Sequence, residues 1–220
     1  MRAVRAVLFD LDGTLIDSAP DLAGTANDMR VHRGWPPLPL AELRLHCGSG
    51  ARGMLGAGLG RRPDDAGYAD LREEFLSRYE ARMLRDTAPF ASVTSLLDTL
   101  NRRGLPWGIV TNKTLRLASA LVQAIVPLRA AAVLIGGDST AHTKPHPAPL
   151  LEAARRMGMS PEHCVYVGDD PRDIRAGQAA GMPTLAAAWG YLGPDEPVQA
   201  WGADAVLLQP EELLKWLDLA

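Results

Sequence analysis

Val7-Leu8-Phe9-Asp10-Leu11-Asp12-Gly13-Thr14 is a short apolar run that stops at two carboxylates two positions apart. A continuous apolar run of this length reads as a strand buried on both faces. Residues i and i+2 of extended chain face the same way, so Asp10 and Asp12 converge beyond the carboxyl end of that strand. Two carboxylates about 4 Å apart repel by roughly 4 kcal/mol at an effective dielectric near 20, so the pair calls for a cation or a shared proton. The plainer alternative is that both acids cap the turn at Gly13.

Outward from this run, further apolar stretches follow at Trp107–Val110, Ala131–Ile135, Cys164–Val167, Thr184–Ala188 and Ala205–Leu208. Helical segments separate them: Val93–Arg103 opened by Ser92 and closed by Gly104, one from Pro147 to Gly158, and one over about 171–180 before Gly181. Pro or Ser at the start and Gly at the stop is the ordinary punctuation of helices. The alternation predicts an α/β fold, a Rossmann-like doubly wound parallel sheet. Residues 17–88 break the rhythm with helix patterns at Leu22–Val31, Ala41–His46 and Tyr68–Leu84 and no credible strand. They read as a helical insertion, with hinges near 17–20 and 87–89 where Pro and small polar residues cluster. The expected division is therefore a core of residues 1–16 and 89–220 interrupted by an inserted domain of residues 17–88.

The composition narrows the function classes. The 220 residues carry 23 Lys and Arg against 26 Asp and Glu, a formal charge of −3, which lacks the basic excess of a nucleic-acid binder. At 47% hydrophobic and 22% charged the chain is globular, and none of its apolar runs reaches the roughly 20 residues that cross a bilayer. Arg2 and Arg5 precede a run that Asp10 and Asp12 interrupt before any leader could form, so a cytoplasmic location is expected. Cys47 and Cys164 show no metal-ligand spacing and read as free thiols.

Three more strand ends carry polar groups. Trp107–Val110 runs into Thr111-Asn112-Lys113, offering a hydroxyl and backbone N–H groups to phosphate oxygens. Thr143-Lys144-Pro145-His146-Pro147 frames a lysine with prolines, and only three lysines exist, at 113, 144 and 215. Cys164–Val167 runs into Gly168-Asp169-Asp170-Pro171-Arg172-Asp173, where Asp170 and Asp173 also suit the start of a helix. Oxygen ligands from two strand ends suit Mg²⁺, which keeps water and substrate phosphate among its ligands.

In this order the four segments resemble the haloacid dehalogenase superfamily of phosphohydrolases along nearly the whole chain. The first motif, DxDx(T/V), matches Asp10 to Thr14; the second matches Thr111-Asn112; the third matches Lys144; the fourth, GDxxxD, matches Gly168 to Asp173. The inserted helices are similar to that family's mobile cap. The resemblance implies that Asp10 is the nucleophile that becomes an aspartyl-phosphate and that Asp12 is the acid and base. It implies Mg²⁺ held by Asp10, the backbone carbonyl of Asp12 and Asp169, with Thr111, Asn112 and Lys144 on the phosphoryl oxygens. Asp173, Asp170 and Thr14 would support these groups, and a Thr at position 14 resembles the hydrolases, where the sugar-phosphate mutases tend to carry Val.

Gly48-Ser49-Gly50-Ala51-Arg52-Gly53 spells the dinucleotide fingerprint, but it follows a helix-like segment and lacks the acidic residue of a nucleotide-binding unit. It reads better as a Gly-rich cap loop that places Arg52 against a carboxylate or a hydroxyl-rich leaving group, or as a plain turn with Arg52 in solvent. Within the superfamily the pattern is similar to the phosphoglycolate phosphatase type. Ser49–Arg52, Trp107–Lys113, Asp169-Asp170 and Trp201–Asp204 also resemble the N-acetylmuramic acid 6-phosphate phosphatases. Both would take a small phosphorylated metabolite, on a monomer or homodimer. A non-catalytic phosphate-binding module of the receiver type is the reading of another class, disfavoured by the DxDGT segment and the insertion. His32, Trp35, His142 and His146 read as loop and packing residues, and Lys113 as either a phosphate neighbour or a helix-start residue.

Overall fold

The computed structural model describes residues 4–219, so Arg2 of the leader reading and the ends of the expected core lie outside the described residues. In chain order the strands are β1 (Ala6–Phe9), β2 (Ile16–Asp17), β3 (Ala88–Pro89), β4 (Trp107–Val110), β5 (Leu134–Ile135), β6 (Cys164–Gly168), β7 (Thr184–Ala187) and β8 (Ala205–Leu207). The α-helices are α1 (Ala19–His32), α2 (Leu40–Arg44), α3 (Gly50–Leu59), α4 (Tyr68–Arg82), α5 (Val93–Arg102), α6 (Leu115–Ala124), α7 (Ala148–Arg156), α8 (Pro171–Ala179) and α9 (Glu212–Trp216). Six strands form one sheet in the order β5-β4-β1-β6-β7-β8, and every pairing in it is parallel.

The side-chain period of two divides β1 cleanly. Val7 and Phe9 are buried among residues of α5, α6 and α9, including Leu96, Leu100, Leu117, Leu121 and Leu213. Ala6 and Leu8 face the other way, among Leu150 and Ala153 of α7 and Ala176 of α8. Both faces are therefore covered, which is why the strand is apolar at every position up to Asp10. The chain runs from β1 outward to β4 and β5 and then returns to β6 on the other side of β1. The carboxyl ends of β1 and β6 thus border the crevice where the winding reverses, the place at which open α/β sheets take ligands.

The four helices α1 to α4 lie between β2 and β3, and α1 packs on each of α2, α3 and α4. The apolar cluster around Val7 and Phe9 continues through Leu11 and Leu15 to Leu22, Met54, Phe75 and Tyr79 of these helices. Two details differ from the sequence reading. Asp17 and Ala88-Pro89, from the segments expected as hinges, join Ile16 in a two-stranded antiparallel ribbon, Ile16 opposite Pro89 and Asp17 opposite Ala88, too short to leave a pattern of its own. Ser92 precedes α5 with φ +65° and its side chain makes no cap bond. The helix is held instead by the buried stripe Val93, Leu96, Leu97 and Leu100.

Candidate active site

Asp10 follows β1 directly, and its backbone N–H donates to the Val167 carbonyl at 2.9 Å, so the residue still travels with the sheet. Its carboxylate Oδ1 receives Lys144 Nζ at 2.7 Å. The same ammonium lies 2.7 Å from Asp173 Oδ1, donates to the Val110 carbonyl at 3.0 Å and donates to the Tyr166 hydroxyl at 2.8 Å. The Lys144 backbone is clamped as well, donating to Asn112 Oδ1 and accepting from Asn112 Nδ2, each at 3.0 Å. A loop lysine is thereby made part of the sheet edge. Burial alone would lower its ammonium, but Asp10 and Asp173 outweigh that and hold it above its ordinary value.

Asp169 follows β6 and is buried. Thr14 Oγ1 donates to its Oδ1 at 2.9 Å and the Tyr191 backbone N–H to its Oδ2 at 2.8 Å. Thr14 is fixed in turn, because Trp189 Nε1 donates to its carbonyl at 2.9 Å. Gly13 crosses this carboxylate with φ +91°, and a Cβ there would collide with the Asp169 side chain, so position 13 needs glycine on both counts. Oxygens of Asp10, Asp169 and Asp173 lie within 4.8 Å of one another. Burial, with repulsion from Asp173 and Asp12, pushes the Asp10 carboxyl up to about 7 although Lys144 pulls it down. Burial and then Asp10 and Asp173 hold Asp169 well above the usual carboxylate range. Lys144 serves Asp10 and Asp173, whereas Asp169 has two neutral donors and, among the described residues, no cationic side chain in salt-bridge contact. Three crowded carboxylates, one of them without a counter-charge, form an all-oxygen donor set that fits a hard divalent cation.

Asp12 sits on the cavity side. Its Oδ1 accepts from Ser18 Oγ at 2.5 Å and lies 3.1 Å from Lys113 Nζ. Lys113 Nζ also donates to the Tyr79 hydroxyl of α4 at 2.8 Å. Thr111 is buried at the end of β4, and its Oγ1 accepts from the Lys113 backbone N–H at 3.2 Å. Asp170 is drawn to Arg172, whose Nε and Nη2 donate to its two oxygens at 2.7 Å each, and this pair lowers the Asp170 carboxyl despite its burial. Asp170 thus starts α8, and Arg172 reaches across to the Gly48 carbonyl at 2.6 Å. Asp173, on α8, accepts the Asp170 backbone N–H at 3.2 Å.

A cavity of about 250 Å³ joins these groups, floored by Asp10, Asp12, Lys144 and Asp169 and roofed by Leu22, Phe75, Leu76 and Tyr79. Arg52 lines it, but from within α3 and not from a loop, because Gly48-Ser49 form a 3₁₀ turn and Gly50 begins the helix. The glycine fingerprint follows α2 and not β1, so the dinucleotide reading has no structural basis. The structure brings Asp10, Asp12, Thr111, Asn112, Lys144, Asp169, Asp170, Asp173 and Arg52 to one cavity. Thr14 stands behind it. His142 and His146 face each other on an exposed loop, with ring centroids 4.3 Å apart, away from these groups. Sequence reasoning did not find Ser18, Tyr79, Tyr166, Tyr191 or Arg72. A lone Ser, Tyr or Arg in a helix, a strand or a connecting loop carries no local signal, and only the fold aims it at a carboxylate or a cavity.

A family profile described as haloacid dehalogenase-like hydrolase matches residues 7–187. A phosphoglycolate phosphatase of Xanthomonas campestris pv. campestris is 50% identical over 214 residues, covering 97% of this chain and 96% of its own. An N-acetylmuramic acid 6-phosphate phosphatase of Pseudomonas aeruginosa is 38% identical over 217 residues, covering 99% and 96% respectively. Among solved structures, a predicted phosphoglycolate phosphatase from Haemophilus somnus superposes with a TM-score of 0.86 at 24% identity, over 98% of this chain and 99% of that one. CbbY from Rhodobacter sphaeroides, in complex with phosphate, does so at 0.77 and 26%, over 98% and 100%.

Proposed function

The chain belongs to the haloacid dehalogenase-like hydrolase family, and on that premise we propose that it is a phosphomonoesterase of the phosphoglycolate phosphatase type that works with Mg²⁺. The observation that carries the reading is the Asp10 carboxylate, 2.7 Å from Lys144 Nζ at the floor of a cavity, with Asp12 on the same floor. An anionic oxygen held beside a fixed cation is what a phosphate ester needs from its nucleophile.

In the first half-reaction an Asp10 carboxylate oxygen bonds to phosphorus while the ester P–O bond breaks. The bonding pair leaves on the alcohol oxygen, which takes its proton from Asp12. In the second, Asp12 removes a proton from water as it attacks the aspartyl-phosphate, and the Asp10 carboxylate and inorganic phosphate are restored. Lys144, the Thr111 hydroxyl and the Asn112 backbone bind the equatorial oxygens as charge redistributes on them. Asp10, Asp169 and the Asp12 carbonyl would hold Mg²⁺, which when bound offsets the carboxylate and phosphate charge. Asp173 holds Lys144, and the helices between β2 and β3 act as a cap that excludes water.

A second substrate is favoured by one observation. The cavity is walled by Leu22, Phe75 and Leu76 beside Arg52 and Arg72, an apolar and cationic lining compatible with the N-acetylmuramic acid 6-phosphate of the Pseudomonas relative. Comparison of kcat/KM for phosphoglycolate, N-acetylmuramic acid 6-phosphate and glucose 6-phosphate tests the choice. Phosphoglycolate leading by tenfold or more supports the first reading, and the muramic ester leading supports the second. Release of phosphate from none of them, or release indifferent to a strong chelator, overturns the proposal.

A further inference from the structure

Lys113 is neither in contact with Asp10 nor among the residues needed to hold phosphate, yet only 9% of its side chain is exposed. Its ammonium lies 3.1 Å from Asp12 Oδ1, donates to the Tyr79 hydroxyl at 2.8 Å and sits 4.4 Å from the centroid of the Tyr79 ring. Ser18 Oγ donates to the same Asp12 oxygen from the opposite side of the sequence motif. Both donors thus engage Oδ1 and leave Oδ2 as the oxygen able to carry a proton into the cavity that Asp12 lines. Tyr79 belongs to α4, between β2 and β3, and is buried against Phe75, whereas Lys113 follows β4. One ammonium therefore connects the acid to the inserted helices.

Resting on the reading of Asp12 as the acid, we propose that Lys113 is a positioning residue that pins Asp12 for protonation of the leaving alcohol and ties that orientation to α4 through Tyr79. The step it serves is the one in which the P–O bond breaks, its electron pair goes to the alcohol oxygen and the proton on Asp12 Oδ2 follows. An ordered carboxyl matters for an alkoxide, which cannot leave unprotonated, and little for a nitrophenolate, which can. The dependence on leaving group separates positioning from general structural support.

The test is single-turnover release of the leaving group by the Mg²⁺-loaded enzyme, so that the second half-reaction does not enter. One ester is p-nitrophenyl phosphate; the other is whichever of phosphoglycolate and N-acetylmuramic acid 6-phosphate the wild-type protein turns over faster. Lys113→Met should slow alcohol release about 100-fold, slow nitrophenolate release less than about 5-fold and leave the half-saturating concentration of the alkyl ester within about 3-fold. Tyr79→Phe, which keeps the ring and removes the hydroxyl, should show the same preference at about 5-fold. Equal losses on both esters, or a rise in half-saturation with an unchanged maximal rate, would make Lys113 a structural or phosphate-binding residue and overturn the proposal. Wild-type behaviour of Tyr79→Phe would overturn the link to α4. Asp12→Asn separates the layers. If it releases the alkyl alcohol at the wild-type rate, the acid role itself fails; if it is strongly selective while Lys113→Met is indiscriminate, only the Lys113 assignment fails.

Discussion

In the proposed reaction Asp10 is under two opposed demands, since attack on phosphorus needs its charge and burial penalises it. The conflict has a thermodynamic signature. A folded-state pKa near 7 against an ordinary value of 3.8 means that the folded protein binds the extra proton between those limits. Without metal, the stability contributed by this group is therefore fully present below about pH 4 and is lost as the pH rises through 7. Removing the ionisable group removes the slope. With chelator present, Asp10→Asn should be more stable than wild type at pH 7.5, by about 2 kcal/mol more than at pH 5.5. The same variant should lose at least ~10³-fold in phosphate release from an aryl ester. Denaturant titrations at the two pH values check the first outcome; a stability difference that shrinks as the pH rises would remove the account of Asp10 as a desolvated carboxylate. Asp10 was legible in the sequence because it stands at the end of an apolar run, and Lys144 because it is one of only three lysines and is framed by prolines. Lys113 was not, since its partners Asp12, Ser18 and Tyr79 come from three separate elements and only the assembled fold shows what it faces.

Elements are joined here by polar anchors that a hydrophobic pattern does not reveal. Asp21, in the first turn of α1, is wholly buried and accepts from the Asp86 and Thr87 backbone N–H groups at 3.1 and 2.9 Å and from Thr87 Oγ1 at 2.8 Å. Arg82 at the end of α4 lies 3.4 Å from its other oxygen. One carboxylate thus fastens the start of α1 to the chain returning into β3, across the two crossings between the sheet and the inserted helices. Asp21→Ala leaves those donors unpaired and should cost about 3 kcal/mol, with kcat on an aryl phosphate within about 3-fold, because Asp21 is not among the residues that line the cavity. Chemical denaturation and initial rates check both halves; unchanged stability would show the anchor to be dispensable. The sheet strands and the helices flanking them were readable because period and punctuation agree there. α3 was not, since four of its ten residues are glycine, each costing about 1 kcal/mol of helix propensity against alanine. Packing reverses that preference. A Cβ on Gly58 would stand 3.2 Å from Ala26 Cβ of α1, so this glycine lets the two helices approach while Met54, Leu55 and Leu59 of α3 are buried.

At the scale of the whole molecule, the sheet order separates what holds the fold from what holds the site. β1 is central, paired on both edges, and carries Asp10 and Asp12 immediately beyond its end; β6 beside it carries Asp169. β8 is an edge strand three places from β1, and no residue of it lines the cavity. The acidic excess of three charges, spread evenly, would only keep the chain dissolved. Concentrated at the carboxyl ends of β1 and β6 it makes a site whose precision depends on the central strands. Leu8 and Leu207 are both buried, and truncating either to alanine should cost about 3 kcal/mol, lowering the melting temperature by roughly 6 to 12 °C for a chain of this size. Their effects on catalysis should diverge. Leu8 is two residues before Asp10 and packs against β4 next to Gly108, so the cavity left by Leu8→Ala lies under Asp10, the proposed nucleophile. A displacement approaching 1 Å there costs up to ~10²-fold, and kcat/KM at 25 °C should fall at least tenfold. Leu207→Ala, equally destabilised, should keep kcat/KM at 25 °C within twofold of wild type. Rates measured well below both melting temperatures decide the matter, and parallel losses in the two variants would mean that site geometry follows global stability and not position in the sheet.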